Sequence, residues 1–111
     1  MQLEHLQIDK EYLKYRPYLM ITDIAGQNLQ FTFKHNKMDY SIYFDIATPG
    51  GDIIIAGRRM TYGVNMLANI HTEKLPDGAA IVPLDFRGEA NKVTINTLME
   101  EVKPYIFTDV T

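Results

Sequence analysis

The sequence predicts a small all-β domain, an antiparallel β-sandwich or partly open barrel built from a meander, with one short helical segment near residues 64–71. Three observations predict it. Apolar and polar residues alternate through Leu29–Phe33 and through Tyr40–Ile46, the period of two of half-buried strands. Turns rich in glycine, proline, asparagine and aspartate separate the apolar runs. No crossover helix stands between successive runs, so neighbouring strands are expected to be antiparallel.

The first strand is expected within Leu3–Ile8, where Glu4, Leu6 and Ile8 share one parity. Asp9-Lys10-Glu11 interrupts it, and Tyr12–Arg16, aromatic and charged without a period, reads as an irregular connection or an edge strand. Strand-forming Tyr18–Thr22 follows Pro17, and Asp23–Asn28 turns the chain with Gly26 at the tight point. Leu29, Phe31 and Phe33 then alternate with Gln30, Thr32 and Lys34, which sends the aromatics inward. After His35–Asp39, the strand Tyr40–Ile46 places Tyr40, Ile42, Phe44 and Ile46 on one face and Ser41, Tyr43 and Asp45 on the other.

Thr48-Pro49-Gly50-Gly51-Asp52 is a hairpin loop, with a negative φ set by Pro49 and glycines where φ turns positive. Ile53–Ala56 is apolar on both parities, the pattern of a strand covered on both faces. Gly57 marks a bulge or bend. Val64, Leu67 and Ala68 recur at helical spacing across 64–71. Lys74–Gly78 is a turn, Ala79–Asp85 a strand that Pro83 demotes to an edge or bulge position, and Asp85–Glu89 a loop. Val93–Leu98 fits either a strand or a short helix, and Pro104–Thr108 a closing strand.

At 111 residues the expectation is one domain over 1–111, burying about two-thirds of the surface of its unfolded chain. A formal net charge of -3 argues against nucleic-acid binding, which needs clustered Lys and Arg. The absence of cysteine excludes disulfides, thiol chemistry and Cys-ligated metals. No apolar run approaches the ~20 residues of a membrane span. Met1–Lys10 carries Glu4, His5 and Asp9 where a signal peptide is basic and then apolar. The expected place of synthesis is the cytoplasm, with no membrane association.

Residues that carry chemistry are sparse. His5, His35 and His71 share no i,i+4 spacing, so no metal site is expected. Asp39, Asp45 and Asp52 fall in turns or on the outward parity, where aspartate serves the local backbone. Gly50-Gly51 and Gly57 lack the Lys-Ser/Thr of a phosphate loop. The expectation is therefore no catalytic residue, no cofactor and no metal. The remaining candidates form a protein interface: outward Tyr43, any exposed member of Tyr12, Tyr15, Tyr18 and Tyr62, and the pair Arg58-Arg59, whose side chains on a strand point to opposite faces so that at least one is solvated. The six methionines serve either core filling or an adaptable contact surface.

The order of signals resembles a known family. A strand ending in Ile24-Ala25-Gly26, then LQFTFKHN, YSIYFDI, a glycine turn, IIIAGRRMTYG, LPDGAAIVPLD and VTINTL with a closing aromatic strand is similar to the baseplate plug proteins of contractile-tailed phages and prophages, with cyanophage tails as reference. The most specific pieces are the Gly57–Gly63 frame around Met60, Leu75-Pro76, and Thr94–Leu98. The chain departs from the pattern at Leu98-Met99-Glu100, where relatives often carry a glycine. The resemblance implies a non-enzymatic component of the virion tail, present in several copies and assembled with hub, tube or wedge proteins. The alternative is a non-catalytic ligand- or protein-binding β-sandwich module. An enzyme would need a histidine converging with carboxylates such as Asp85 or Glu89.

Overall fold

The computed structural model describes residues 4–70, 72, 74–76 and 78–108. Two antiparallel sheets pack as a small sandwich, with no closed barrel. One has the strand order β1-β7-β6, with β1 Glu4–His5, β6 Ala80–Leu84 and β7 Lys103–Phe107. The other is a meander, β2-β3-β4-β5, with β2 Tyr18–Ile24, β3 Gln27–His35, β4 Ile42–Ala47 and β5 Ile53–Arg59.

The period-two segments behave as the sequence predicts. Leu29, Phe31 and Phe33 of β3 are buried, as are Ile42, Phe44 and Ile46 of β4. Register stacks them into rows across the inner face, Tyr18–Phe33–Phe44 and Met20–Phe31–Ile46–Ile55. The rings of Phe31 and Phe33 lie 5.9 Å apart, nearly parallel at 3°. Leu6, Leu13, Met60, Met66, Ile81, Leu98 and Val102 complete this core. Ala25 and Gly26 form a two-residue turn with positive φ at both positions, as the twist of a tight hairpin requires, and the Asp23 carboxylate accepts the Gly26 N–H at 2.7 Å.

Five readings need correction. No helix forms over the described part of 64–71, and residue 71 lies outside the described residues. The Met66 N–H that would serve a helix donates instead to the Ile81 carbonyl at 2.7 Å, Asn65 Oδ1 accepts from Leu67 N–H, and Asn69 adopts φ 64. The segment is a run of turns tied to β6. The one helix among the described residues is α1, Lys10–Leu13, in place of an irregular connection or edge strand; Asp9 caps it by accepting the Tyr12 N–H at 3.2 Å.

Ile53–Ala56 is not covered on both faces: β5 is an edge strand, and Ile53 is 62% exposed. The strand of the central hairpin begins at Ile42, because Tyr40 has φ 63 and is exposed. Of the two alternatives for Val93–Leu98, neither forms. Thr94 and Thr97 organise turns there, and Leu98 makes an isolated parallel bridge to Val102. Next to it Met99 holds φ 66, the backbone region a glycine enters without strain.

In β6 and β7, Pro83 stands opposite Pro104. In β4 and β5, Phe44 faces Arg58 and Ile46 faces Ile55, so Ala56 and Gly57 together oppose Asp45. This is the bulge expected at Gly57, which has φ 63 and gives its N–H to the Asp45 carboxylate at 2.7 Å. A Cβ at Gly57 meets nothing within 4 Å, so Gly57→Ala carries only the left-handed backbone cost. The expected loss is about 1–2 kcal/mol, read as a lower urea midpoint at unchanged m.

Candidate protein interface

The bulge sets which side chains share the outer face of the four-stranded sheet. Lys34 of β3, Tyr43 of β4 and Arg59 of β5 stand in one cross-strand row. Beside them Lys34 pairs with Asp45 at 2.9 Å. Partial burial pushes the Asp45 carboxyl up, but the Gly57 amide and the hydrogen bond and charge of Lys34 more than offset it, leaving the carboxyl below its ordinary range.

Arg59 also lines an open groove of about 390 Å³ with Asp39, Thr61, Tyr62, Asn91 and Lys92. Asp39 at the rim accepts the Ser41 hydroxyl and amide, and these bonds, with the Arg59 charge, hold its carboxyl below the usual range. Tyr62 is anchored through its hydroxyl to the backbone of Asp85, accepting the Asp85 N–H at 3.3 Å. The far wall follows a loop organised by the buried Asp85 carboxylate, which accepts amides from Arg87 at 2.9 Å, Ala90 at 3.0 Å and Glu89 at 3.2 Å. Burial pushes this carboxyl up, yet the three amides and the Arg87 charge bring it below its ordinary value.

The structure thus places Arg59 beside Tyr43 on the sheet and beside Tyr62 in the groove. Arg58 is on the other face, opposite buried Phe44, where its guanidinium donates to the carbonyls of Ala68 at 2.7 Å and Met66 at 3.3 Å. It braces the 66–69 turns while Arg59 remains exposed.

Sequence reasoning passed over a second surface. Leu19 and Ile21 of β2 are 56% and 55% exposed on the outer face. Their signal was present as apolar residues on both parities of Tyr18–Ile21, a pattern that burial rules alone assign to the interior. Near the start of β2, Lys14, Tyr15, Arg16, Pro17, His35 and Lys37 line a second groove of about 240 Å³.

The two described histidines, His5 and His35, do not converge on a carboxylate cluster. His5 Nδ1 contacts the Leu6 carbonyl at 3.0 Å, both ring nitrogens of His35 are buried without a partner, and His71 lies outside the described residues. Among the described residues no three His, Asp or Glu side chains are grouped as metal ligands, and no helix is long and apolar enough to cross a membrane. The surfaces on offer are polar rims around tyrosine and arginine, and one apolar strand.

A family model described as cyanophage baseplate Pam3 plug gp18 matches residues 6–109. No curated protein matches the chain.

Proposed function

This chain belongs to the cyanophage baseplate plug family, and from that premise we propose that it is a non-catalytic structural component of a phage or prophage tail baseplate. It assembles there in several copies with hub and tube proteins and helps close the tail channel until ejection. The observation that carries this reading is the family match across residues 6–109. The surface chemistry supports it, because assembly depends on shape and buried contacts, with tyrosine and arginine as the usual anchors. Tyr43, Arg59 and Tyr62 form the proposed contact face, with Arg58 behind it holding the turns in place. A symmetric tail repeats any such contact once per copy.

Purified tails are expected to contain the chain by mass spectrometry. Its gene is expected to lie among tube, sheath and hub genes. Co-expression with those hub and tube proteins is expected to move it into a larger complex on size exclusion, and Arg59→Glu is expected to weaken that complex at least tenfold with the fold unchanged by circular dichroism. A chain missing from purified tails overturns the reading.

A further inference from the structure

The two sheets end in four outer strands, β1, β6, β2 and β5, and three of these edges are blunted. β1 is two residues long. The outer edge of β6 is occupied by the preceding turns: Gly63 N–H donates to the Pro83 carbonyl at 2.8 Å, Met66 N–H to Ile81, and Asn65 Oδ1 accepts the Ile81 N–H at 3.0 Å. β5 is broken by register shifts, including the Gly57 bulge, and ends in two arginines. Bulges, short strands, charges and covering loops are the usual means by which an edge avoids pairing.

β2 lacks them from Tyr18 to Thr22, and its one charge, Asp23, lies at the hairpin end with its carboxylate on the Gly26 N–H. It runs seven residues in unbroken register with β3, from Tyr18 opposite Phe33 to Ile24 opposite Gln27. Its interior holds no proline, lysine, arginine or glycine. Among the described residues, its backbone makes no hydrogen bond beyond the β3 ladder. Leu19 and Ile21 stand exposed along it.

Charge marks one end of this strand. The groove at its start gathers Lys14, Arg16 and Lys37 in a chain of net charge -3. Lys14 is paired with Glu11 at 3.0 Å. Arg16, 5.5 Å above the Tyr12 ring, and Lys37 have no carboxylate within ion-pair distance among the described residues. A strand added antiparallel to β2 brings its C-terminal end to this groove.

We infer that the free edge of β2 takes an antiparallel strand from a neighbouring protein. That strand is apolar at the positions beside Leu19 and Ile21 and acidic at the C-terminal end, which meets Arg16 before the start of β2. The backbone ladder supplies affinity, and the charges set polarity and register. That the neighbour is a baseplate subunit rests on the assembly reading; strand addition itself does not.

The test uses the intact chain, labelled for NMR, and an N-acetylated octapeptide of alternating threonine and valine ending in two aspartates. Expected are shifts and slowed amide exchange confined to residues 18–24. Methylating alternate peptide nitrogens should weaken binding at least tenfold, and exchanging the aspartates for lysines several-fold. The difference between the two charge forms should shrink in 0.5 M salt. Arg16→Glu, at an exposed position, should reverse the charge preference.

No shift at 18–24 with millimolar peptide overturns the inference. So do equal binding of the methylated or lysine-ended peptide, and shifts centred on the Arg59–Tyr62 groove. Tighter binding of a single-stranded oligonucleotide to the basic groove overturns it in favour of a nucleic acid. A failed peptide result leaves tail incorporation standing, and absence from tails leaves the peptide result standing, so the two failures are distinguishable.

Discussion

Phe33→Ala destabilises the domain by about 3–5 kcal/mol, measured as the shift of a urea or guanidinium unfolding curve. Phe33 is 0% exposed and sits between Tyr18 and Phe44 in its cross-strand row, with Phe31 stacked beside it. Both flanking strands are held by continuous ladders there, so the sheet cannot close over the missing ring and a cavity remains. Phe33→Leu keeps much of the volume and is expected to cost less than about half as much. Since whole domains are stable by roughly 5–15 kcal/mol, the alanine variant is expected to lose a large share of that margin. A loss below about 1 kcal/mol would show that Phe33 is not a pillar of the core.

The second large effect falls on Asp85. Asp85→Asn puts an amide where a carboxylate now accepts three backbone N–H groups, so one oxygen becomes a donor facing donors. At neutral pH the thermal midpoint is expected to fall by on the order of 5–10 °C. Asn91, Lys92 and the anchored Tyr62 move with the loop, so the change also loosens the groove beside Arg59.

The pH dependence separates this from a general loss of packing. Asp39, Asp45 and Asp85 all have folded-state values depressed below the ordinary 3.8. Their contribution to stability is fully present above that value and is lost as pH falls through the lower folded values. Wild-type stability is therefore expected to drop between about pH 5 and pH 2. Asp85→Asn should show a shallower drop over the same interval, and an unchanged acid limb would remove Asp85 from it.

The inner faces of β3 and β4 were legible because a half-buried strand writes its environment directly as period two, as Phe31/Thr32/Phe33 and Phe44/Asp45/Ile46 do. Ile53-Ile54-Ile55 misleads for a physical reason: a run apolar on both parities is equally the signature of a covered strand and of an exposed apolar edge. Tyr18–Ile21 is ambiguous in the same way, and there the exposed side chains are the ones that matter. Val64, Leu67 and Ala68 carry a helical spacing, but Met66 and Asn65 spend their hydrogen bonds on Ile81, sixteen or so residues away in sequence. Local pattern cannot register that competition. The cap Asp9 was readable in principle, three residues before the amide it accepts.

The candidate interface was partly legible. Arg58 and Arg59 were bound to diverge, but which one faces solvent depends on a bulge that adds a residue to β5. Met99 sits at a turn that demands a left-handed conformation glycine takes freely, and this chain meets it with a side chain packed against the core.

The opposed prolines of β6 and β7 act as a lock on strand alignment. The Leu6 N–H bonds to the Pro104 carbonyl and the Gly63 N–H to the Pro83 carbonyl, so both prolines turn their backbones away from one another. The missing N–H groups therefore take nothing from the β6–β7 ladder in the correct alignment. A slip by one residue would aim a proline nitrogen at the opposite strand, forfeit a ladder bond and turn the buried Ile81 to the wrong face. Misaligned copies thus carry their own penalty before they reach any partner.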